Sequence, residues 1–569
     1  QKQQSKPNQN KPTTTILDCD EFNRRFEFQA IKPRYHNSSC FVLVIRSIGS
    51  PKTKAMTTVE RIHVTENERQ IFDLLLRAVG NFSPKTKLRV AGGWVRDKLL
   101  GQDSSDIDIA ISNMFPRDFL VKLNDYLCSQ GEDEVQGHVI ESKPAQGKQK
   151  PPLETVKMSL YNHSIDLVHL RSDVYAGDSR IPVKVEFASP EEDAFRRDLT
   201  INSLFYNIHT GLVEDLTGRG IDDLKAGRIA TPLHARDTFL EDPLRVLRAI
   251  RFGARFGFTL DEQLKEAASS EEVRVAIAGK ISRERIGNEI DLMISGNRPI
   301  TAVNLLSDLK LLGLVFALPA SSEPAPSENC VSLCRAYMEA MWNLIQTPGL
   351  VNLSGEQIRH AMYAALLLPF RKMVYKEKKR KSAPVVNYIL KVSMKRKSSD
   401  AETVVNIHRA AGRFLSLILP LQLKNGVQVD KREWGATDVF EHLESICQDD
   451  PEVPATTKIR VVAGFLLKDI KDLWPVALLT SLLLSRDEEV NLDFQLDKKR
   501  EIYLRIAGTI REMCLDTIWD EKPLVDGSDI IKALHLTNRG PIIREWQQKL
   551  LTWQLAYPKG MPAKRAKPM

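Results

Sequence analysis

At 569 residues, with a hydrophobic fraction of 42% and a net charge of +8, the chain is too long for one ordinary domain and apolar enough for real cores. Two to four folded units are therefore expected. No apolar run reaches the roughly 18 residues that a spanning helix needs. The longest, 474–484, is interrupted by Pro475 and Thr480, so the chain reads as soluble, with no membrane partner. Its seven cysteines are scattered, and Cys330 and Cys334 lack a second pair or neighbouring histidines. That gives no zinc pattern and implies free thiols in a reducing compartment. The modest positive charge suits a polyanionic partner.

Residues 1–56 are rich in Gln, Lys, Asn, Ser and Thr, net basic, and without periodicity. Arg24, Arg25, Arg34 and Arg46 among Ser and Thr are the composition of an organellar transit segment; a disordered extension without function is the other reading. The chain begins at Gln1, which reads as a processed or engineered piece, and Met56 offers an internal start. From 57 to about 220, strands and helices alternate. Arg89-Val90-Ala91 reads as a short strand, Gly92-Gly93 as a turn, 94–100 as a helix, and Gly101 as its end. Ser105-Asp106-Ile107-Asp108-Ile109-Ala110 then alternates polar and apolar residues, as a strand with two unlike faces does. An insert at 131–152, rich in Gly, Gln, Lys and Pro, reads as a loop between strands.

Beyond Arg236 the pattern is helical. Asp237-Thr238 is placed to cap a helix over 241–255, and helical periodicity continues to about Leu314. A proline-rich linker follows at 319–326. Residues 330–480 read as all-helical, interrupted by a basic stretch at 376–381. More helices and a second basic stretch at 559–567 close the chain. Contact with RNA phosphates, an import signal and a merely solvated face are all readings of these two stretches.

The chemistry concentrates at 89–110. Residues i and i+2 of a strand share a face, so Asp106 and Asp108 project together. Two such carboxylates can hold two metal ions about 4 Å apart for in-line phosphoryl transfer. Bare glycine backbone leading into a helix suits a triphosphate. A D-x-D alone is usually an acidic pair, and a Gly-Gly alone a turn; the order strand, Gly-Gly, helix, Gly, D-x-D strand is far more specific. It resembles the nucleotidyltransferase domain of the DNA polymerase beta superfamily. Further segments narrow the match: Arg196-Arg197-Asp198-Leu199-Thr200-Ile201-Asn202, then Glu214-Asp215-Leu216-Thr217-Gly218, then Glu241-Asp242-Pro243-Leu244-Arg245, continuing to Phe252, then Ile281-Ser282-Arg283-Glu284-Arg285. In this order they resemble the five motifs of the class II tRNA nucleotidyltransferases, the CCA-adding enzymes of eukaryotic type, and of the related bacterial poly(A) polymerases. The likeness is strong over 85–315, weak afterwards and absent before about residue 60.

The resemblance implies an α+β head with a polymerase-beta-like sheet over 57–230. An all-α neck over 231–315, a body over 316–485 and a tRNA-binding tail over 486–569 would follow. It implies two Mg²⁺ ions on Asp106 and Asp108, one activating the 3′-hydroxyl of RNA and the other neutralising the triphosphate. Asp166, in Ser164-Ile165-Asp166-Leu167, is either a third carboxylate on a neighbouring strand or a solvent-facing strand residue. Gly92, Gly93 and Arg96 would bind the triphosphate, and Arg197, Asp198 and Asn202 the sugar and phosphates, Asp198 accepting from a 2′-hydroxyl. Asp215 corresponds to a motif linked to domain movement, and Arg283 and Glu284 to a structural brace.

Asp242 and Arg245 carry the specificity. Three apart on one helix, they would share a face. Asp offers acceptors and Arg donors; cytosine and adenine each present an amino donor beside a ring-nitrogen acceptor. Uracil and guanine present the reverse order. One Asp–Arg pair can thus select C and A, although in isolation it would be an ordinary surface salt bridge. Arg248, one turn on, is placed for base or phosphate. The implied activity is template-independent addition and repair of the tRNA 3′-terminal CCA from CTP and ATP. The implied partners are the tRNA 3′ end, CTP and ATP, and no stable protein partner is evident. Destinations are the mitochondrion or plastid, with cytoplasm and nucleus reached from Met56. A poly(A) polymerase would keep the same residues and differ in a flexible loop at 171–183 and in the body. An inactive RNA-binding relative would have lost a D-x-D carboxylate or the Gly-Gly, and both are present.

Overall fold

The computed structural model describes residues 62–141, 154–174, 184–376, 382–423, 455–484, 495–535 and 541–557. The segment 1–56, residues 142–152 of the insert, residues 175–183 of the 171–183 loop, most of the 376–381 stretch and the 559–567 stretch lie outside them. The described residues divide into two compact units, one ending at Val315 and the other beginning at Phe316.

The first unit opens with α1, Glu66–Phe82, whose start is closed reciprocally by Thr65 and Glu68. There follow β1 (Leu88–Ala91), α2 (Gly93–Leu99), β2 (Asp106–Ile111), α3 (Pro116–Gln130), β3 (Gly137–Glu141), β4 (Glu154–Leu160) and β5 (His163–His169). A two-stranded antiparallel ribbon comes next, β6 (Arg171–Val174) with β7 (Lys184–Phe187), then α4 (Pro190–Phe195), β8 (Phe205–Asn207) and β9 (Leu212–Glu214). Seven strands form one sheet in the order β3-β4-β5-β2-β1-β8-β9. Only β2 and β5 run parallel in it; the other neighbours are antiparallel. The alternation expected of β2 is realised: Ile107 and Ile109 are fully buried, while Asp106 and Asp108 stay exposed. Burying those isoleucines, with Leu88, Val90, Ile165 and Leu167, fixes the register, because a slip of one residue would put carboxylates in the core. The helices α1 and α3 contribute Ile71, Leu75, Phe119 and Leu123 to the core, and Phe82 meets Phe119 edge-on at 5.6 Å.

The unit continues with α5 (Gly220–Lys225), β10 (Arg228–Ile229), α6 (Ala235–Glu241), α7 (Leu244–Phe256), β11 (Thr259–Leu260), α8 (Glu262–Ser269), α9 (Glu271–Lys280), α10 (Arg283–Ile294) and α11 (Pro299–Asp308). Three expectations are corrected here. The helix expected over 241–255 is two helices, with Asp242 extended at the break (φ −133°, ψ 95°). Pro243 causes the break: its ring disfavours helical geometry at the preceding residue, while proline itself suits a helix start. His234, not Asp237-Thr238, precedes α6. Part of the insert expected as a loop is the edge strand β3, paired along Gly137–Glu141 with β4.

The second unit is helical, its core helices including Cys330–Ile345, Gly355–Leu366, Ser398–Leu423, Ala455–Ile470 and Trp474–Leu482. It is not purely so. Val374–Lys376 and Ser382–Pro384 pair antiparallel across the basic stretch, and β10 and β11 form a short parallel pair in the first unit. The architecture is otherwise the mixed-sheet head and helical remainder that the resemblance implies.

One buried carboxylate secures the head's first helices. Glu68 accepts from the Trp94 indole at 2.8 Å and the Thr65 amide at 2.7 Å, and pairs with Lys98 at 3.0 Å. Glu68→Ala would leave the indole and ammonium underpaired in a dry setting. A loss of about 3 kcal/mol in denaturant unfolding of the head is expected; a loss below about 1 kcal/mol would contradict this account.

Candidate active site

Parallel pairing of β2 with β5 sets Asp108 opposite Asp166 and Asp106 opposite Ser164. In register, paired side chains point to the same face, so three carboxylates share one open face of the sheet. Lys157 of β4, opposite Asp166, places its ammonium 2.8 Å from the Asp166 carboxylate. Asp108 is open to solvent on one side and enclosed on the other. That enclosure chiefly raises its pKa, Asp166 and Asp106 add to the rise, and Arg197 and Lys157 oppose it. Clustered carboxylates of this kind are a fit for divalent cations, whose charge relieves the repulsion.

Beside this face, the chain turns at Gly92 with φ +67°. Its amide donates to the Leu204 carbonyl at 2.9 Å. A β-carbon there would stand 3.1 Å from Arg197 Nη1 and 3.2 Å from the Asn202 carbonyl oxygen, so both conformation and room call for glycine. Gly93 begins α2. Arg197 lies over the Phe205 ring at 4.9 Å and is held by Asp193 at 2.8 Å.

Arg96 is placed differently from the triphosphate contact expected of it. Only 3% exposed, its guanidinium donates to Asn202 Oδ1 and Asp97 Oδ1. It also lies 4.9 Å from the rings of both Phe252 and Phe256. It ties α2 to α7. Asp198 is similarly engaged. Its Oδ1 accepts from the Leu199 amide at 2.9 Å and from Asn202 at 3.1 Å, and its Oδ2 from Arg248 Nε at 2.6 Å. Burial pushes its pKa up, but the Arg248 charge, aided by the bonds from Arg248 and Asn202, holds the carboxyl below its ordinary range.

Asp242 and Arg245 do not share a helix as expected. Asp242, in the break, accepts from the Leu244 amide at 3.3 Å and from Arg285 at 3.1 Å. Arg245, in the first turn of α7, is buried. It donates to the Arg196 carbonyl at 2.7 Å and to Glu241 at 3.3 Å. Each is anchored by a residue that sequence reading passed over. These are Glu241, at the end of α6, and Arg285, in the first turn of α10 beside Arg283 and Glu284. Arg283 instead donates to the Leu314 carbonyl at 2.7 Å. Asp215 accepts from the Gly218 and Ile221 amides at 3.1 and 3.0 Å, shaping the turn into α5.

A family model described as the poly A polymerase head domain matches residues 88–230. A mitochondrial CCA tRNA nucleotidyltransferase of Saccharomyces cerevisiae is 33% identical over 522 residues, covering 88% of this chain and 92% of its own. The chain belongs to the CCA tRNA nucleotidyltransferase family. A mitochondrial CCA tRNA nucleotidyltransferase of Candida glabrata is 31% identical over 553 residues, 89% of this chain and 96% of its own. Among solved structures, a Thermotoga maritima CCA-adding enzyme complexed with tRNA aligns with a TM-score of 0.51 at 18% identity. It covers 88% of this chain and 96% of its own, and so shares the fold.

One further His–carboxylate group, Glu356, His360 and Asp400, lies in the helical unit of this nucleotidyltransferase. Arg359 already bridges its two carboxylates at 3.0 and 2.9 Å, so a guanidinium supplies the cation there. For Gly92→Ala, the positive φ alone costs about 1–2 kcal/mol, and the new methyl presses on Arg197. Nucleotide binding weaker by about tenfold is expected, measured by titration with CTP. Unchanged binding would detach this turn from the nucleotide site.

Proposed function

We propose that this enzyme completes and repairs the tRNA 3′ end, adding C, C and A from CTP and ATP without a nucleic acid template and releasing diphosphate. The observation that carries this is the joint placement of three in-register carboxylates, the Gly92 turn and Arg197 in a chain that matches CCA tRNA nucleotidyltransferases over nearly its whole length. CCA-adding enzymes of the same fold, solved with tRNA, CTP and ATP, support the choice of partners. Because the matching head domain is named for poly(A) polymerases, poly(A) addition is the rival reading; the relatives matched over most of the chain favour CCA.

Asp106 and Asp108 would hold two Mg²⁺ ions, with Asp166 beside them already partly compensated by Lys157. Bound there, the ions would favour the ionised 3′-hydroxyl and neutralise the departing diphosphate. Gly92 and Gly93 offer bare backbone to the triphosphate, and Arg197 extends over it. Asp198, engaged with the Leu199 amide, Asn202 and Arg248, keeps one acceptor site, on Oδ2, for a ribose hydroxyl.

Selection of the base rests on Asp242 and Arg245 as anchored groups, not as neighbours on a helix. Arg285 fixes Asp242 and leaves it acceptor capacity. Glu241 and the Arg196 carbonyl fix Arg245, whose remaining N–H groups can face a base edge. Acceptor beside donor matches C and A. Uracil or guanine would leave buried groups unmet, at about 1–3 kcal/mol each. A mitochondrial destination is supported by the mitochondrial yeast relatives, and the basic segment 1–56 would direct it there or to a plastid.

Asp106→Ala and Asp108→Ala should each abolish transfer while leaving unfolding and tRNA binding near wild type, since both side chains are exposed on a strand face; normal turnover in Mg²⁺ would sink the assignment. The Asp242→Ala/Arg245→Ala enzyme should retain some transfer but lose its preference for C and A. Single-turnover addition to tRNA ending before its first C, and to tRNA ending in CC, measures this. Selection as strict as wild type would move base reading elsewhere.

A further inference from the structure

Asp193 lies in α4, ahead of the Arg-Arg-Asp motif, and is 1% exposed. Its carboxylate is shared by three neighbours. Oδ2 accepts from Arg197 Nε at 2.9 Å and Nη2 at 2.8 Å. Oδ1 accepts from Arg196 Nε at 3.0 Å and from the backbone amide of Arg171 at 3.2 Å. Arg196 Nε also donates to the Arg171 carbonyl at 2.9 Å, and the Arg196 carbonyl accepts from Arg245. Arg171 is the first residue of the β6–β7 ribbon.

We infer that Asp193 is a positioning residue that aims Arg197 at the nucleotide and ties the base of the ribbon to the groups that read it. Geometry supports this: from the Asp193 carboxylate Arg197 reaches the Gly92 turn, its Nη1 3.1 Å from where a Gly92 β-carbon would stand. The Arg171 amide shares the same carboxylate, so any displacement of Arg197 is felt at the first residue of the ribbon. The inference rests on the nucleotide-site reading of Arg197 given above.

Asp193→Asn keeps the shape but removes the charge and turns an amide N–H₂ toward one guanidinium. KM for both CTP and ATP should rise roughly tenfold, with kcat changed less than about twofold and affinity for tRNA lacking its end unchanged. In an Arg197→Ala background, the same substitution should add less than about twofold to KM, because its route is already cut. Multiplying effects, or an unchanged KM in folded Asp193→Asn enzyme, would overturn the inference. If Arg197→Ala alone leaves KM unaltered, the nucleotide-site reading fails instead. Should Asp193→Asn not accumulate as folded protein, hydrogen exchange on the intact wild-type chain decides. The Arg171 amide should gain protection on CTP binding, and that gain should vanish in Arg197→Ala; an Arg171 amide indifferent to CTP would overturn the inference.

Discussion

The Asp198 carboxylate is the joint on which the active site depends. One oxygen takes the Arg248 guanidinium of α7; the other takes Asn202, which in turn holds Arg96. Arg96 then returns to α7, lying against Phe252 and Phe256. The helix is thus gripped twice by the head, one turn apart. Removing Arg248 would leave the more enclosed Asp198 carboxylate without its opposing charge, whereas Arg248 is partly open to solvent. The grip also has a geometric consequence. Because α7 starts immediately after Asp242-Pro243, fixing it fixes where Asp242 and Arg245 stand relative to the carboxylate face of β2.

Within that frame, β2 does two jobs with one alternating pattern. Its isoleucines fill the core and lock the register, and the same register lines up Asp106, Asp108 and Asp166. Stability and chemistry are therefore not separable at this strand. A one-residue slip would bury the carboxylates, and a change that loosened the isoleucines would scatter them. Enclosure chiefly raises the Asp108 pKa, and the neighbouring Asp166 and Asp106 carboxylates add to the rise.

Much of this was legible in the sequence, because period-two alternation and ordered motifs are local signals. The α+β head, the Gly92 turn and the shared face of the D-x-D pair are of that kind. The Asp242 break was not, since Leu240, Leu244 and Leu247 continue a helical rhythm straight across Pro243. The edge strand β3 was hidden by its composition: Val139 and Ile140 stay largely exposed, at 37% and 48%, so no buried face marks it. Arg285 escaped because it meets Asp242 across 43 residues. Asp193 escaped because its role lies in what it touches, not in any pattern of its own. Arg96 was assigned outward from its motif, yet its flat guanidinium suits a place between aromatic rings equally well.

The central claim is that fixed protein groups, with no nucleic acid template, write C, C and A. Sequencing the product tests it most directly: tRNA lacking its three terminal nucleotides is incubated with the enzyme, Mg²⁺ and all four ribonucleoside triphosphates, and the new ends are read. The expected result is CCA and no further extension. Runs of A, or U and G incorporated alongside C and A, would contradict the account.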